Sequence, residues 1–151
     1  MKKLPLFEAK EDIRYEFINL EDTGEDDEFD MVAAADEAEV LAKKEGINIL
    51  RGKELIYVAL DEQDKVVGAL WTEVDHNEFS FDVAVSKSHQ RQGIGDKLVK
   101  LAISEYGNVK DMYDDLSYKV DVTNPNMEKL LAKHGFKEVE RITGHTIMTK
   151  E

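Results

Sequence analysis

No cysteine occurs anywhere in the 151 residues. That excludes a disulfide scaffold, a thiolate metal site and a thiol nucleophile, and it fits a reducing compartment. Proline and glycine are scarce, with two and nine copies, while 42% of residues are apolar; the composition is that of a globular chain, not a fibrous or disordered one. Long apolar runs are missing as well. Nothing approaches the roughly 18 residues needed to cross a bilayer. The start, MKKLPLFEAK, has no apolar stretch of the kind a secretory signal requires. The length predicts one domain over residues 1–151, with 1–12 as an extra N-terminal segment. A cytoplasmic location and no contact with membranes are the matching expectations.

Positive charge is the next shortage. Lys and Arg number 20 against 33 Asp and Glu, a net charge of −13. A broad basic face for nucleic acid is therefore excluded, and so is docking on anionic lipid. The imbalance is local. Residues 1–75 carry a net of −12 and residues 76–151 a net of −1. Seven acids fall within residues 21–30, either a solvated loop or an attractor for a cationic ligand. In contrast, the stretch 87–100 sets Lys87, Arg91, Lys97 and Lys100 against Asp96 alone, and would attract an anion.

Periodicity orders the rest. Ile13, Tyr15 and Phe17 alternate as in a strand, and Met31, Ala34, Ala35, Ala38, Leu41 and Ala42 share one helical stripe ending near Gly46. Two β-rich runs, 55–60 and 66–74, flank a DEQDK turn and predict a hairpin. A strand through Phe79, Phe81, Val83 and Val85 follows. A helix then runs from Gly95 to about Tyr106-Gly107. Leu116, Tyr118, Val120 and Val122 predict one further strand. Asn124 caps a helix with Pro125 in its first position, closing on Gly135-Phe136. Two short strands about Thr143-Gly144 complete a mixed α/β (α+β) sandwich.

The stretch Val83-Ala84-Val85-Ser86-Lys87-Ser88-His89-Gln90-Arg91-Gln92-Gly93-Ile94-Gly95-Asp96 reads strand, polar loop, paired glycines, helix. At such a junction several backbone N–H groups point outward together, and the helix dipole adds about half a positive charge. Glycine lets a polyanion approach the backbone closely. The loop matches neither GxxxxGK[ST] nor GxGxxG, and a lone GxG also serves as a plain tight turn.

Gln90-Arg91-Gln92-Gly93-Ile94-Gly95 resembles the (Q/R)xxGx(G/A) signature of the GNAT superfamily of acyl-CoA-dependent N-acyltransferases. The strand before it resembles that family's fourth strand. The segment from Val120-Asp121-Val122-Thr123-Asn124 to His134-Gly135-Phe136 is similar to its second motif, so the resemblance covers about residues 13–150. It implies a mostly antiparallel sheet of six to seven strands with helices on both faces. It further implies acetyl-CoA as co-substrate, with its pyrophosphate on the amides of Arg91, Gln92, Gly93, Ile94 and Gly95, near Gln90 and Asp96. The pantetheine arm would lie against Val83, Ala84 and Val85, with Asn124 nearby. Transfer would pass directly from thioester to a cationic primary amine, and no metal is implied. The family often pairs as homodimers, but nothing in the residues themselves sets the oligomeric state.

Two chemical demands remain. An alkylamine is mostly protonated at pH 7, and exposing its lone pair costs about 4–5 kcal/mol. A carboxylate can take that proton: Asp82 first, then Glu73 or Asp75, each of which is otherwise a solvated strand-edge group. The departing thiolate needs a proton or dipole. Many family members carry a Tyr seven residues after the Asn, where this chain has Leu131. Tyr118, Tyr113 or His134 are the substitutes, although Tyr118 also suits the core and His134 a solvated helix end. Leu131 equally motivates a non-catalytic acyl-CoA-binding module on the same fold. His76, His89 and His145 lack metal-ligand spacing and read as structural or surface residues.

Overall fold

A computed structural model describes residues 12–19, 30–47, 53–90, 92–122 and 124–150. Arg91, most of the acidic stretch 21–30 and all but the last residue of the extra segment 1–12 lie outside the described residues. Among the described residues eight strands and three α-helices follow in order: β1 Arg14–Phe17, α1 Met31–Lys44, β2 Glu54–Leu60, β3 Val66–Asp75, β4 Glu78–Val85, α2 Ile94–Val109, β5 Ser117–Tyr118, β6 Val120–Val122, α3 Pro125–Lys133, β7 Lys137–Ile142 and β8 His145–Thr149. They form a five-stranded sheet, β1-β2-β3-β4-β5, and a three-stranded sheet, β6-β8-β7.

Alternating burial builds two cores. Asp30 caps α1, its carboxylate accepting from the Ala33 N–H at 3.1 Å. The helix lays Ala34, Ala38, Leu41 and Ala42 on one face of the large sheet, against Val58, Trp71 and Ala84. On the other face α2 packs Ile94, Leu98, Val99 and Ala102 against Phe79, Phe81 and Val83. An added Cβ at Gly68 would lie 2.8 Å from Ile94 Cγ2, so α2 comes close to β3 only because that residue has no side chain. The helix outlasts its predicted end at Tyr106-Gly107. Tyr106 and Val109 pack on the core, and the Tyr106 hydroxyl donates to the Leu116 carbonyl at 2.8 Å, which outweighs the roughly 1 kcal/mol cost of a helical glycine.

The largest departure from expectation lies at 117–122. One continuous strand was predicted; the chain forms two, in different sheets. β5 pairs in parallel with β4 only at Glu78↔Ser117 and Phe79↔Tyr118. After the Lys119 N–H donates to the Phe79 carbonyl at 2.9 Å, the chain leaves β4, and β6 pairs with β8 instead. Alternation is blind to a change of partner, because Val120 and Val122 stay buried throughout. The split is also why two sheets stand where a single sheet of six to seven strands was expected.

Candidate active site

Where β5 and β6 part from β4, the sheet opens into a cleft of about 370 Å³. Its walls come from both faces. Gly95, Asn124, Asn126, Met127 and Leu130 belong to the α2–α3 side, and Glu45, Ile47, Asp82 and Ala84 to the α1 side. The cleft therefore passes through the sheet.

Register decides which backbone groups face it. β3 and β4 are joined by His76-Asn77, with φ of 52° and 61°, a two-residue turn that makes Asp75 and Glu78 a hydrogen-bonded pair. Alternation then turns the backbone of Ser80, Asp82 and Ala84 toward β3, and the Ser86 N–H continues the series to the Val67 carbonyl at 2.8 Å. The backbone of Phe79, Phe81, Val83 and Val85 faces the opposite way. The Phe79 carbonyl is taken by Lys119, and that of Val85 by Gln90 Nε2 at 3.2 Å. Between them, Phe81 and Val83 present their polar groups to the cleft, as an extended ligand would require. Ala84, expected beside Val83 and Val85 as a binding residue, lines the cleft but directs its backbone to β3.

The glycine loop meets α2 as the sequence suggests. Gly93 is the N-cap at φ 84°, a left-handed conformation that favours glycine, and among the described residues nothing but its chain neighbours comes within 4 Å of its missing Cβ. The first intrahelical bond runs from the Lys97 N–H to the Gly93 carbonyl at 3.0 Å, so the amides of Ile94, Gly95 and Asp96 precede the ladder. Convergent amides, an open face and the adjoining cleft fit a pyrophosphate with an extended arm. The side chains behave differently. Ile94 is core, and Gln92 turns inward, its Oε1 buried without a partner among the described residues. Gln90 ties Val85 to Glu45, at 3.4 Å from Nε2 to Oε1.

Asp96 also turns away from the cleft. Its carboxylate lies 2.8 Å from His134 Nε2 and 3.3 Å from both Lys100 and Lys133, bridging α2 to the end of α3. The His134 hydrogen bond, helped by the two lysines, lowers its pKa to about 2. His134 is thus a largely shielded strut rather than the solvated helix end expected of it. Asn124 stands at the cleft with its side chain accepting from the Asn126 N–H at 2.8 Å.

Of the candidate bases, Asp82 lines the cleft and Asp75 does not; Asp75 sits at the far hairpin beside the exposed His76. Lys53, which the sequence reading passed over, joins the other two. Its ammonium lies 2.7 Å from Asp82 Oδ2 and 3.9 Å from Glu73 Oε2. Neither carboxylate is the solvated edge group that the bland alternative supposed, at 21% and 20% side-chain exposure. Tyr118 belongs to the core instead of the cleft. It stacks on Tyr106 at 4.2 Å between centroids and meets Phe136 edge-on, its hydroxyl donates to the Ala102 carbonyl, and burial raises its pKa. Leu131 is fully buried, so the α3 residues at the cleft are Asn126, Met127 and Leu130. Tyr113 is exposed beyond α2. Among the described residues no helix is long and apolar enough to cross a membrane, and no cluster of metal-ligating side chains forms.

No curated protein sequence matches the chain. Solved structures do resemble it in fold. The ribosomal-protein-S18-alanine N-acetyltransferase from Escherichia coli has a TM-score of 0.59 at 17% identity, over 91% of this chain and 92% of that one. A GNAT superfamily phosphinothricin acetyltransferase from Sinorhizobium meliloti, in complex with AcCoA, gives 0.54 at 16% identity over 80% and 69%. A spermidine N-acetyltransferase mutant from Vibrio cholerae gives 0.53 at 21% identity over 76% and 73%. The sequence profile of the acetyltransferase (GNAT) domain matches residues 52–138, which run from before β2 into β7 and include the glycine loop and every cleft residue but Glu45 and Ile47. With more than half of its length inside that match, the chain belongs to the GNAT acetyltransferase family.

Proposed function

We propose that the chain is an N-acetyltransferase that moves an acetyl group from acetyl-CoA directly to a primary amine, with a cationic amine as acceptor. One observation carries this reading: the cleft through the sheet joins the amides at the start of α2 to Asp82 on the opposite face. The amides of Gly93, Ile94, Gly95 and Asp96 would hold the pyrophosphate. Phe81 and Val83 would bind the arm as an added strand, with Asn124 and Asn126 at its side. Acetyl-CoA, when bound, supplies the thioester. Asp82 takes the acceptor's proton, the C–N bond forms as C–S breaks, and the sulfur leaves with the electron pair and is protonated afterwards. With no cysteine in the chain, a thiol-bound acyl-enzyme is ruled out. The cleft carboxylates Glu45, Asp82 and Asp121 favour a cationic acceptor. The spermidine and ribosomal-protein acetyltransferases sharing the fold both act on amines by name.

A second reading, a non-catalytic acyl-CoA-binding module, is favoured by the cleft lining itself, which contains no Tyr, His or Lys among the described residues. The two readings separate in one experiment. Acetyl-CoA at a hundred times Kd should stabilise the fold by about 2.7 kcal/mol, several degrees in Tm, under both. Amines should then release CoA only from an enzyme. The released thiol is read without background because the protein has none. Gly93→Val should abolish the melting shift, and an unchanged shift would overturn the placement of the loop.

A further inference from the structure

We propose that Lys53 is an internal acceptor: in the absence of amine substrate, acetyl-CoA bound in the cleft acetylates the Lys53 side chain, and Asp82 receives its proton. This rests on the reading of the cleft as the acyl-donor site.

Lys53 immediately precedes β2, whose register Glu54↔Thr72 places it beside Glu73. Its side chain reaches across β3 on the α1 face and puts Nζ against Asp82 on β4. Only 13% of the side chain is exposed. That face is where the cleft emerges opposite the glycine loop, and Asp82 belongs to its wall. An acceptor's ammonium approaching Asp82 would have to occupy the place where the Lys53 ammonium already lies. The chain therefore carries its own alkylammonium, pre-positioned on the carboxylate assigned as base.

The step balances without a further reagent. The ammonium gives one proton to Asp82, and the nitrogen lone pair forms the bond to the acetyl carbonyl carbon. The C–S bond breaks with its electron pair remaining on sulfur, and the second proton lost by nitrogen accounts for the thiol. The products are a neutral acetamide on Lys53, free CoA and one proton passed from Asp82 to solvent. Acetylation removes one cation from a cluster of one ammonium and two carboxylates, leaving Asp82 and Glu73 to an external cation. Self-acetylation would thus open the acceptor site.

The test uses the full chain and isotopically labelled acetyl-CoA, with mass spectrometry of tryptic peptides. Acetylation of Lys53 blocks cleavage there and yields the peptide 52–65. Label on Lys53 should exceed that on Lys100 and Lys133, whose side chains are 63% and 69% exposed, by about tenfold or more. With a small amine-reactive acetylating reagent, which needs no cleft, the order should reverse. The rate per molecule should not depend on protein concentration, and Asp82→Asn should lose the Lys53 label. Lys53 labelled no faster than Lys100 and Lys133, while acetyl-CoA still raises Tm, overturns self-acetylation and leaves the donor site standing. A rate that grows with protein concentration overturns the internal transfer. Absence of both the label and the melting shift overturns the donor site as well.

Discussion

At the scale of single residues, two positions show how absent atoms and paired charges shape the site. Gly68 sits inside a strand, where glycine is costly, and its bare Cα admits Ile94, the first residue of α2. Gly68→Ala places a methyl 2.8 Å from Ile94 Cγ2, 3.2 Å from Leu98 Cδ1 and 3.3 Å from the Ala59 Cβ. Overpacking of this kind costs about 1–3 kcal/mol. The variant should melt several degrees lower and respond less to acetyl-CoA, because the displaced element is the one that presents the loop amides. Gly107→Ala is the contrast. Among the described residues no atom outside its own stretch of helix lies within 4 Å of its added Cβ, and a helix-interior glycine replaced by alanine should gain about 0.5–1 kcal/mol in thermal denaturation without altering the acetyl-CoA response. For Asp82, the chemistry of the acceptor sets the expectation. Asp82→Asn should lower turnover at pH 7 by about 10²-fold or more, and less as the pH approaches 10, where the amine deprotonates unaided. Equal losses at both ends of a pH–rate profile would remove Asp82 as the base.

Among the elements, α2 and α3 are joined by charge as well as packing, and this sets the acid response. Asp96 has its pKa lowered to about 2 by His134, Lys100 and Lys133, against about 3.9 for a free Asp. A carboxylate that is more acidic in the folded state stabilises it fully above the unfolded value, and that stabilisation is lost as pH falls through about 4 toward 2. Wild type should therefore lose its Tm advantage over Asp96→Asn across that window, and a constant difference from pH 6 to pH 2 would show that the bridge contributes nothing. This contact also marks how far the sequence can be read. The start of α3 was legible because a cap is local: Asn124 sits where its type and the following Pro125 predict, and the loop's motif lies wholly within one strand–helix junction. The His134–Asp96 bond spans 38 residues and has no periodic signature. The parting of β5 from β6 was equally invisible, since the burial pattern that identifies a strand does not name its partner. Gly68 did carry a signal, an isolated glycine in a strand pattern. Lys53 carried none.

For the whole molecule, the excess of 33 acids over 20 bases is a field as well as a solubility device. Glu45, Asp82 and Asp121 at the cleft lie within that field, and the strongly acidic half of the sequence supplies α1 and strands β1 to β3. A polycationic amine approaching the α1 face should be gathered by long-range attraction that a neutral or zwitterionic amine does not feel. Salt tests this directly, because the Debye length shrinks from about 30 Å at 0.01 M to about 10 Å at 0.1 M. Raising ionic strength across that range and beyond should lower kcat/KM for a diamine several-fold, while kcat at saturation stays level, since screening acts on encounter and not on the bound complex. A monoamine of the same length bearing a hydroxyl in place of the second amine should lose less. Should both amines respond alike, acceptor choice resides in short-range contacts at Asp82 and Glu73, and the acidity of the chain is then a matter of solubility alone.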